Sequence, residues 1–222
     1  MKRNCAIEDI SDGNLYKKED LVTVSCNGCK GNATCCRGMG ASIILDPYDI
    51  YQLTIGLKVR FEELLADKIE LNIVDGMILP NLKMADLTES CNFLNTEGRC
   101  SIHSIRPGIC RLFPLGRYYE KHSFQYFLQI NECSNQCKTM VKVSKWLGIP
   151  ELNKYEEFVN AWHYFLKEME SYIKTATDVN LVKTLNMYIL NTFFVRNYST
   201  EDFYSQFYGR LAEAKKTLQL DV

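Results

Sequence analysis

Nine of the ten cysteines fall into two groups with the spacing of metal ligands. The first is Cys26-x2-Cys29-x5-Cys35-Cys36. The second is Cys91-x8-Cys100-x9-Cys110, followed by Cys133-x3-Cys137. Thiolates that converge repel one another and need a soft cation to hold them, and zinc and iron–sulfur clusters are the usual occupants. Cys26-x2-Cys29 is a chelating pair, because a tight turn brings two sulfurs onto one ion. Adjacent Cys35 and Cys36 diverge, and a cluster with several metal corners accepts diverging ligands more readily than one ion does. On a helix, Cys133 and Cys137 would share a face. Cys5 stands apart from both groups as a free thiol.

A disulfide framework needs an oxidising compartment. The N-terminus, Met1-Lys2-Arg3-Asn4 followed by acidic Glu8, Asp9 and Asp12, has no apolar signal region. A chain of 222 residues has enough length to bury a core without covalent staples. Metal ligation is therefore the expected use of these cysteines, and the expected address is the cytoplasm.

Charge supports this. Segments 26–40 and 98–117 hold six of the cysteines, six basic residues (Lys30, Arg37, Arg99, Arg106, Arg111, Arg117) and no Asp or Glu. Positive charge favours thiolates and offsets a site built from them. Arg106 and Arg111 flank Cys110 and are expected to bond backbone carbonyls or sulfur there. A net charge of −1 gives no global attraction to nucleic acid, and no apolar run suffices for a membrane helix. The expected partner is a protein or a small molecule.

The elements that must position these residues read as α+β. Residues 1–25 lack clear periodicity and are expected to be irregular. Residues 26–40 are a glycine-rich loop, and Ala41–Leu45 is a strand candidate. Asp46-Pro47 opens a short helix with an N-cap and a first-turn proline, and Phe61–Ala66 suggests another. Ile69, Leu71 and Ile73 alternate with polar residues ahead of Asp75-Gly76, a hairpin signal. A second hairpin is expected around Glu120–Ser123. From Thr139 the pattern turns helical: Tyr155, Val159, Trp162, Leu166, Met169 and Ile173 form one apolar seam. Leu181, Leu185, Tyr188 and Ile189 suggest a further helix. Ser199-x-x-Asp202 resembles a capping box ahead of Phe203, Phe207, Leu211, Ala214 and Leu218. The expected division is a cysteine-rich domain over 1–138 and a helical region over 139–222.

The second cysteine group sits in Cys91-Asn92-Phe93-Leu94, Gly98-Arg99-Cys100-Ser101-Ile102, and Arg106-Pro107-Gly108-Ile109-Cys110-Arg111-Leu112-Phe113-Pro114. With the CxxC-type start, the adjacent CC and Asp46-Pro47-Tyr48-Asp49-Ile50, these segments resemble the YkgJ-like cysteine-cluster proteins over about residues 24–147. The resemblance implies zinc or iron chelation by Cys26, Cys29, Cys35, Cys36, Cys91, Cys100, Cys110, Cys133 and Cys137. There are two departures. The gap between Cys29 and Cys35 is longer than the family's, and His103 stands where Tyr is common. A related branch is similar to flagellin lysine N-methylase, whose cysteine motif is associated with an iron–sulfur cluster. This chain has Arg37-Gly38-Met39 where that branch has Gly-Trp, so metal binding is carried over and methylation is not.

Thiolates in excess of the four that one zinc takes, and the adjacent Cys35-Cys36, favour one or two [4Fe–4S]-type clusters with a redox or protein-modifying role. The alternative is a structural zinc module that organises a helical partner-binding surface; a labile metal carrier is a third. No Walker loop, Rossmann fingerprint or HExxH occurs. His103, His122 and His163 lie in unrelated contexts, and no motif assigns a reaction.

Overall fold

The structure is a computed structural model that describes residues 6–25, 33–130, 132 and 138–218. Its elements run α1 (Ile7–Ile10), β1 (Leu21–Ser25), α2 (Pro47–Leu57), α3 (Phe61–Asp67), β2 (Ile69–Val74), β3 (Met77–Leu82), α4 (Gly108–Leu112), β4 (Leu115–Glu120), β5 (Ser123–Leu128), β6 (Lys138–Lys142), α5 (Val143–Leu147), α6 (Leu152–Thr175), α7 (Val179–Leu190) and α8 (Phe203–Thr217). Among the described residues the strands form three antiparallel pairs: β1 with β6, β2 with β3, and β4 with β5. The class is α+β, as the sequence pattern indicates.

Both hairpins form where turn chemistry asks for them. Asp75 and Gly76 take positive φ between β2 and β3, and Lys121 and His122 do so between β4 and β5. Two residues with positive φ match the right-handed twist of the flanking strands. Ala41–Leu45 is not a full strand. It lies beside β3 through an isolated bridge, Ile44 to Asn81, with Leu45 N donating to Pro80 O at 2.8 Å and Leu82 N to Ile43 O at 3.0 Å.

Two expectations are corrected. Part of the irregular lead-in is ordered: Leu21–Ser25 is a strand, with Val22 and Val24 each 1 % exposed. Its partner is Lys138–Lys142, which begins at the last residue of the expected cysteine-rich domain and continues into the region read as helical. Five-residue runs of apolar and β-branched side chains are ambiguous by periodicity, and only the distant partner decides them. The cap of α8 also differs. Asp202 is its N-cap, accepting from Tyr204 N and Ser205 N, and Ser199 lies ahead of it. The shorter Asp at that position reaches its own following amides, where a Glu would reach back.

The C-terminal helices pack through aromatic rings. On α6, Tyr155, Phe158, Val159, Trp162, Phe165 and Met169 are buried. Phe158 is fully buried and meets Phe207 at 4.6 Å and Phe203 at 5.2 Å between ring centroids. Arg210 closes the turn after α7 by donating to the carbonyls of Thr192, Arg196 and Asn197. Tyr48 of α2 reaches the same cluster, with Phe203 at 5.0 Å and Tyr155 at 5.5 Å. Helix α2 therefore joins the helical layer to the loops that carry the cysteines. No helix among the described residues is long and apolar enough to cross a membrane.

Candidate metal centre

Cys35 and Cys36 lie in a single 3-10 turn, Thr34–Cys36, closed by Cys36 N on Ala33 O at 2.8 Å. The following residues pair with the start of the second group. Cys91 N donates to Cys36 O at 2.8 Å, Gly38 N donates to Glu89 O at 2.8 Å, and Arg37 bridges Ser90. These backbone bonds bring two cysteine motifs, far apart in sequence, side by side.

Cys100 is returned to the same place by a tight turn. The Asn95 side chain accepts from Arg99 N at 2.8 Å and Glu97 N at 3.1 Å, and Leu94 bridges Cys100. Phe93 lies 4 % exposed beneath the turn and anchors it. Asn at this position supplies the side-chain acceptor that an Asx turn needs.

Cys110 sits on α4, and Asp49 fixes that helix. Asp49 and the N-cap Asp46 exchange side-chain bonds with each other's backbone N–H, closing a capping box. The second Asp49 oxygen, Oδ1, accepts from Gly108 N at 2.7 Å. Gly108 has no room for a side chain, since a Cβ there would lie 1.9 Å from the Tyr155 hydroxyl oxygen. Arg111 then ties the approach to α4. Its Nε donates to Arg106 O at 3.1 Å and its Nη2 donates to Ser104 O. Both acceptors are main-chain carbonyls of the loop that presents Cys110. Arg106 points differently. Its Nη1 meets His103 Nε2 at 3.1 Å, and its positive charge acts on Cys35. That contact engages Nε2 of His103, whose basicity is lowered first by burial and then by Arg106.

The consequence is one small cavity, of about 60 Å³, whose wall includes Cys35, Cys36, Cys91, Cys100 and Cys110. Thus all five cysteines among the described residues border the same space, none of them in a disulfide. Cys26, Cys29, Cys133 and Cys137, along with Cys5, lie outside the described residues. The Cys35 and Cys36 sulfurs are 3.9 Å apart. No three His, Cys, Asp or Glu side chains among the described residues converge as ligands of a single ion.

The thiols carry the signature of crowding. The hydrogen bond with Cys36, aided by the charge of Arg106, pulls Cys35 down to about 7. The same bond, together with burial, pushes Cys36 up. Burial raises Cys91, and burial with the charges of Asp49, Cys35, Cys91 and Cys100 raises Cys110. A lowered thiol pKa is therefore confined to Cys35 among these four, and its main cause is the bond with Cys36 rather than an arginine; at the other three, burial and mutual repulsion raise it. Buried sulfurs that raise one another's pKa are the arrangement a bound cation relieves, since a coordinating metal deprotonates its thiols outright. The donor set is soft and sulfur-rich, and it fits zinc or an iron–sulfur cluster.

Comparison with known proteins agrees with this geometry. Residues 25–138 match the CxxCxxCC family model, described as "Putative zinc- or iron-chelating domain". The chain belongs to this YkgJ-like cysteine-cluster family. The matched region spans just over half the chain and includes every cysteine of the two groups. No solved structure matches the chain.

In the sequence, Asp46 and Asp49 are marked only as a helix start and a family element. The burial of Asp49, and the bond it accepts from Gly108 N, are visible only in three dimensions. The D-x-x-D spacing was the available signal, because it allows the two side chains to cap reciprocally. Arg117 and His163 belong to a second, larger cavity that no motif marks.

Proposed function

We propose that this protein is a cytoplasmic iron–sulfur protein, with one or two clusters of the [4Fe–4S] type held by the two cysteine groups. The observation that carries this reading is the distribution of sulfur around a space. Five thiols border a cavity of about 60 Å³, one more than a single tetrahedral ion takes. A single tetrahedral ion gathers its ligands at one point, whereas a cluster spreads them over its corners. Cys26, Cys29, Cys133 and Cys137 would complete the ligand set. A bound cluster supplies one-electron chemistry to a redox or protein-modifying reaction.

The chain's own residues have definable parts in this. Arg106 offsets negative charge at Cys35. Arg111 holds the carbonyls of Ser104 and Arg106, and so fixes the loop that leads to Cys110. Asp49 holds the first amide of α4. These contacts set where the sulfurs stand before any metal arrives.

One observation favours the second reading, a structural zinc site. Two sulfurs on one tetrahedral zinc, each at ~2.3 Å, lie about 3.8 Å apart, and Cys35 and Cys36 are 3.9 Å apart. Purification without air separates the two. Brown protein that contains iron and sulfide and bleaches in oxygen supports the cluster. Colourless protein with stoichiometric zinc, which takes up no cluster when offered iron and sulfide, overturns it.

A further inference from the structure

A second cavity, of about 580 Å³, adjoins the cysteines. Cys35, Ile43 and Cys110 line both spaces, so they form a common wall. The volume falls within the range of small-molecule sites, roughly 300–1,000 Å³. Most of the lining is apolar, with Ile10, Ile44, Trp162 and Leu166 among it. The polar groups are few: Asp46, Asp49, Arg117, Tyr119, Gln129 and His163 carry most of the polar chemistry.

What distinguishes Arg117 is that no carboxylate among the described residues forms an ion pair with it, although Asp46 and Asp49 feel its charge. Asp49 spends both carboxylate oxygens on backbone amides, those of Gly108 and Asp46. Asp46 accepts from Asp49 N, and burial favours its neutral form. Arg117 has no ion pair among the described residues. It donates to the Tyr155 hydroxyl at 3.2 Å, interacts with the Tyr119 hydroxyl, and rests over the rings of Phe124 and Tyr155. Its Nε is buried with no acceptor. A guanidinium is always charged and carries five N–H donors, so most of its donor capacity is unspent. His163 is held neutral by burial and by the neighbouring Lys167. Arg117 is thus the cation of this lining.

We infer that this cavity is a binding site for a small organic carboxylate with an apolar body, whose carboxylate bonds Arg117 and whose body lies along the wall shared with Cys35 and Cys110. A planar guanidinium matches a carboxylate. One cation, with two carboxyl side chains in the same wall, suits a monoanion better than a phosphate dianion. The site goes beyond the metal reading and does not depend on which metal the cysteines hold.

Octanoate and octan-1-ol test it. They have the same chain length and differ in head-group charge. Their binding to the protein as purified is followed by calorimetry and by fluorescence of Trp162, with Trp146→Phe removing the other indole. Octanoate is expected to bind at least tenfold more tightly than octan-1-ol at pH 7.5. Arg117→Gln is expected to remove that difference and leave octan-1-ol binding unchanged. Leu166→Trp, which narrows the cavity, should weaken binding of both, as read by calorimetry. Equal affinity for the two probes, discrimination that survives Arg117→Gln, or no saturable binding of either overturns the proposal. Should Arg117→Gln not fold, the wild-type comparison and Leu166→Trp decide it. Metal content measured on the same samples keeps this result separate from the cluster reading.

Discussion

The cysteine-bearing loops and the helical layer are held by different forces. Around α6 and α8, large aromatic side chains are fully buried and meet ring to ring. Around the cysteines the elements are short, and position comes from specific hydrogen bonds: the Asn95 turn, the Arg111 clamp on two carbonyls, and Asp49 on Gly108 N. Burial is non-directional and scales with area, so the helical layer tolerates small shifts. Hydrogen bonds are directional and individually modest, about 1 kcal/mol net each. The loops are therefore accurate without being strong, and a bound metal is the element that would lock them.

The largest effect should come from the helical side. Phe158→Ala deletes a fully buried ring and is expected to cost about 3–5 kcal/mol of stability. Denaturant titration measures it as a lower midpoint. If the two regions are energetically separate, the folded variant keeps its metal stoichiometry. Loss of metal in parallel with stability would instead make them one cooperative unit, joined through Tyr48 of α2.

Gly108→Ala probes the other side. Its Cβ would strike the Tyr155 hydroxyl, and Tyr155 is 1 % exposed with nowhere open to go. Overpacking of this kind costs about 1–3 kcal/mol. The shift also pushes the start of α4 away from Asp49, and Cys110 with it. Chelator competition should therefore show weaker metal retention, by a larger factor than in Phe158→Ala. Equal retention in the two variants would remove the distinction between the regions.

This difference also explains what could be read from the sequence. The α6 seam, the Asp46-Pro47 helix start and both hairpin turns were legible because local periodicity and turn residues encode them. The cysteine groups were legible as chemistry, because thiol spacing restricts what the residues can do. Strand β1 was not, since Leu21–Ser25 acquires its meaning only from Lys138–Lys142, more than a hundred residues away. The role of Asp49 was hidden for the same reason. Its partner Gly108 lies 59 residues on, and no local rule links a capping carboxylate to a distant amide.

The smallest effect concerns the seam between the two regions, where His163 of α6 stacks on Tyr119 of β4 with ring centroids 3.6 Å apart. Burial, then the charge of Lys167, lowers its pKa from 6.5 to about 4. The unfolded chain therefore binds a proton that the folded chain resists. Stability from this group is full above pH 6.5 and is lost as pH falls toward about 4. The side chain is only half-buried, so solvent screening holds the effect to on the order of 1 kcal/mol. His163→Gln removes the titration. The stability difference, wild type minus variant, should decrease on acidification across that window and stay flat above it, as read from denaturant midpoints at successive pH values. A difference that stays constant from pH 7 to pH 4 would show that the ring is protonated as easily folded as unfolded, and that the contact between helix and hairpin opens to water.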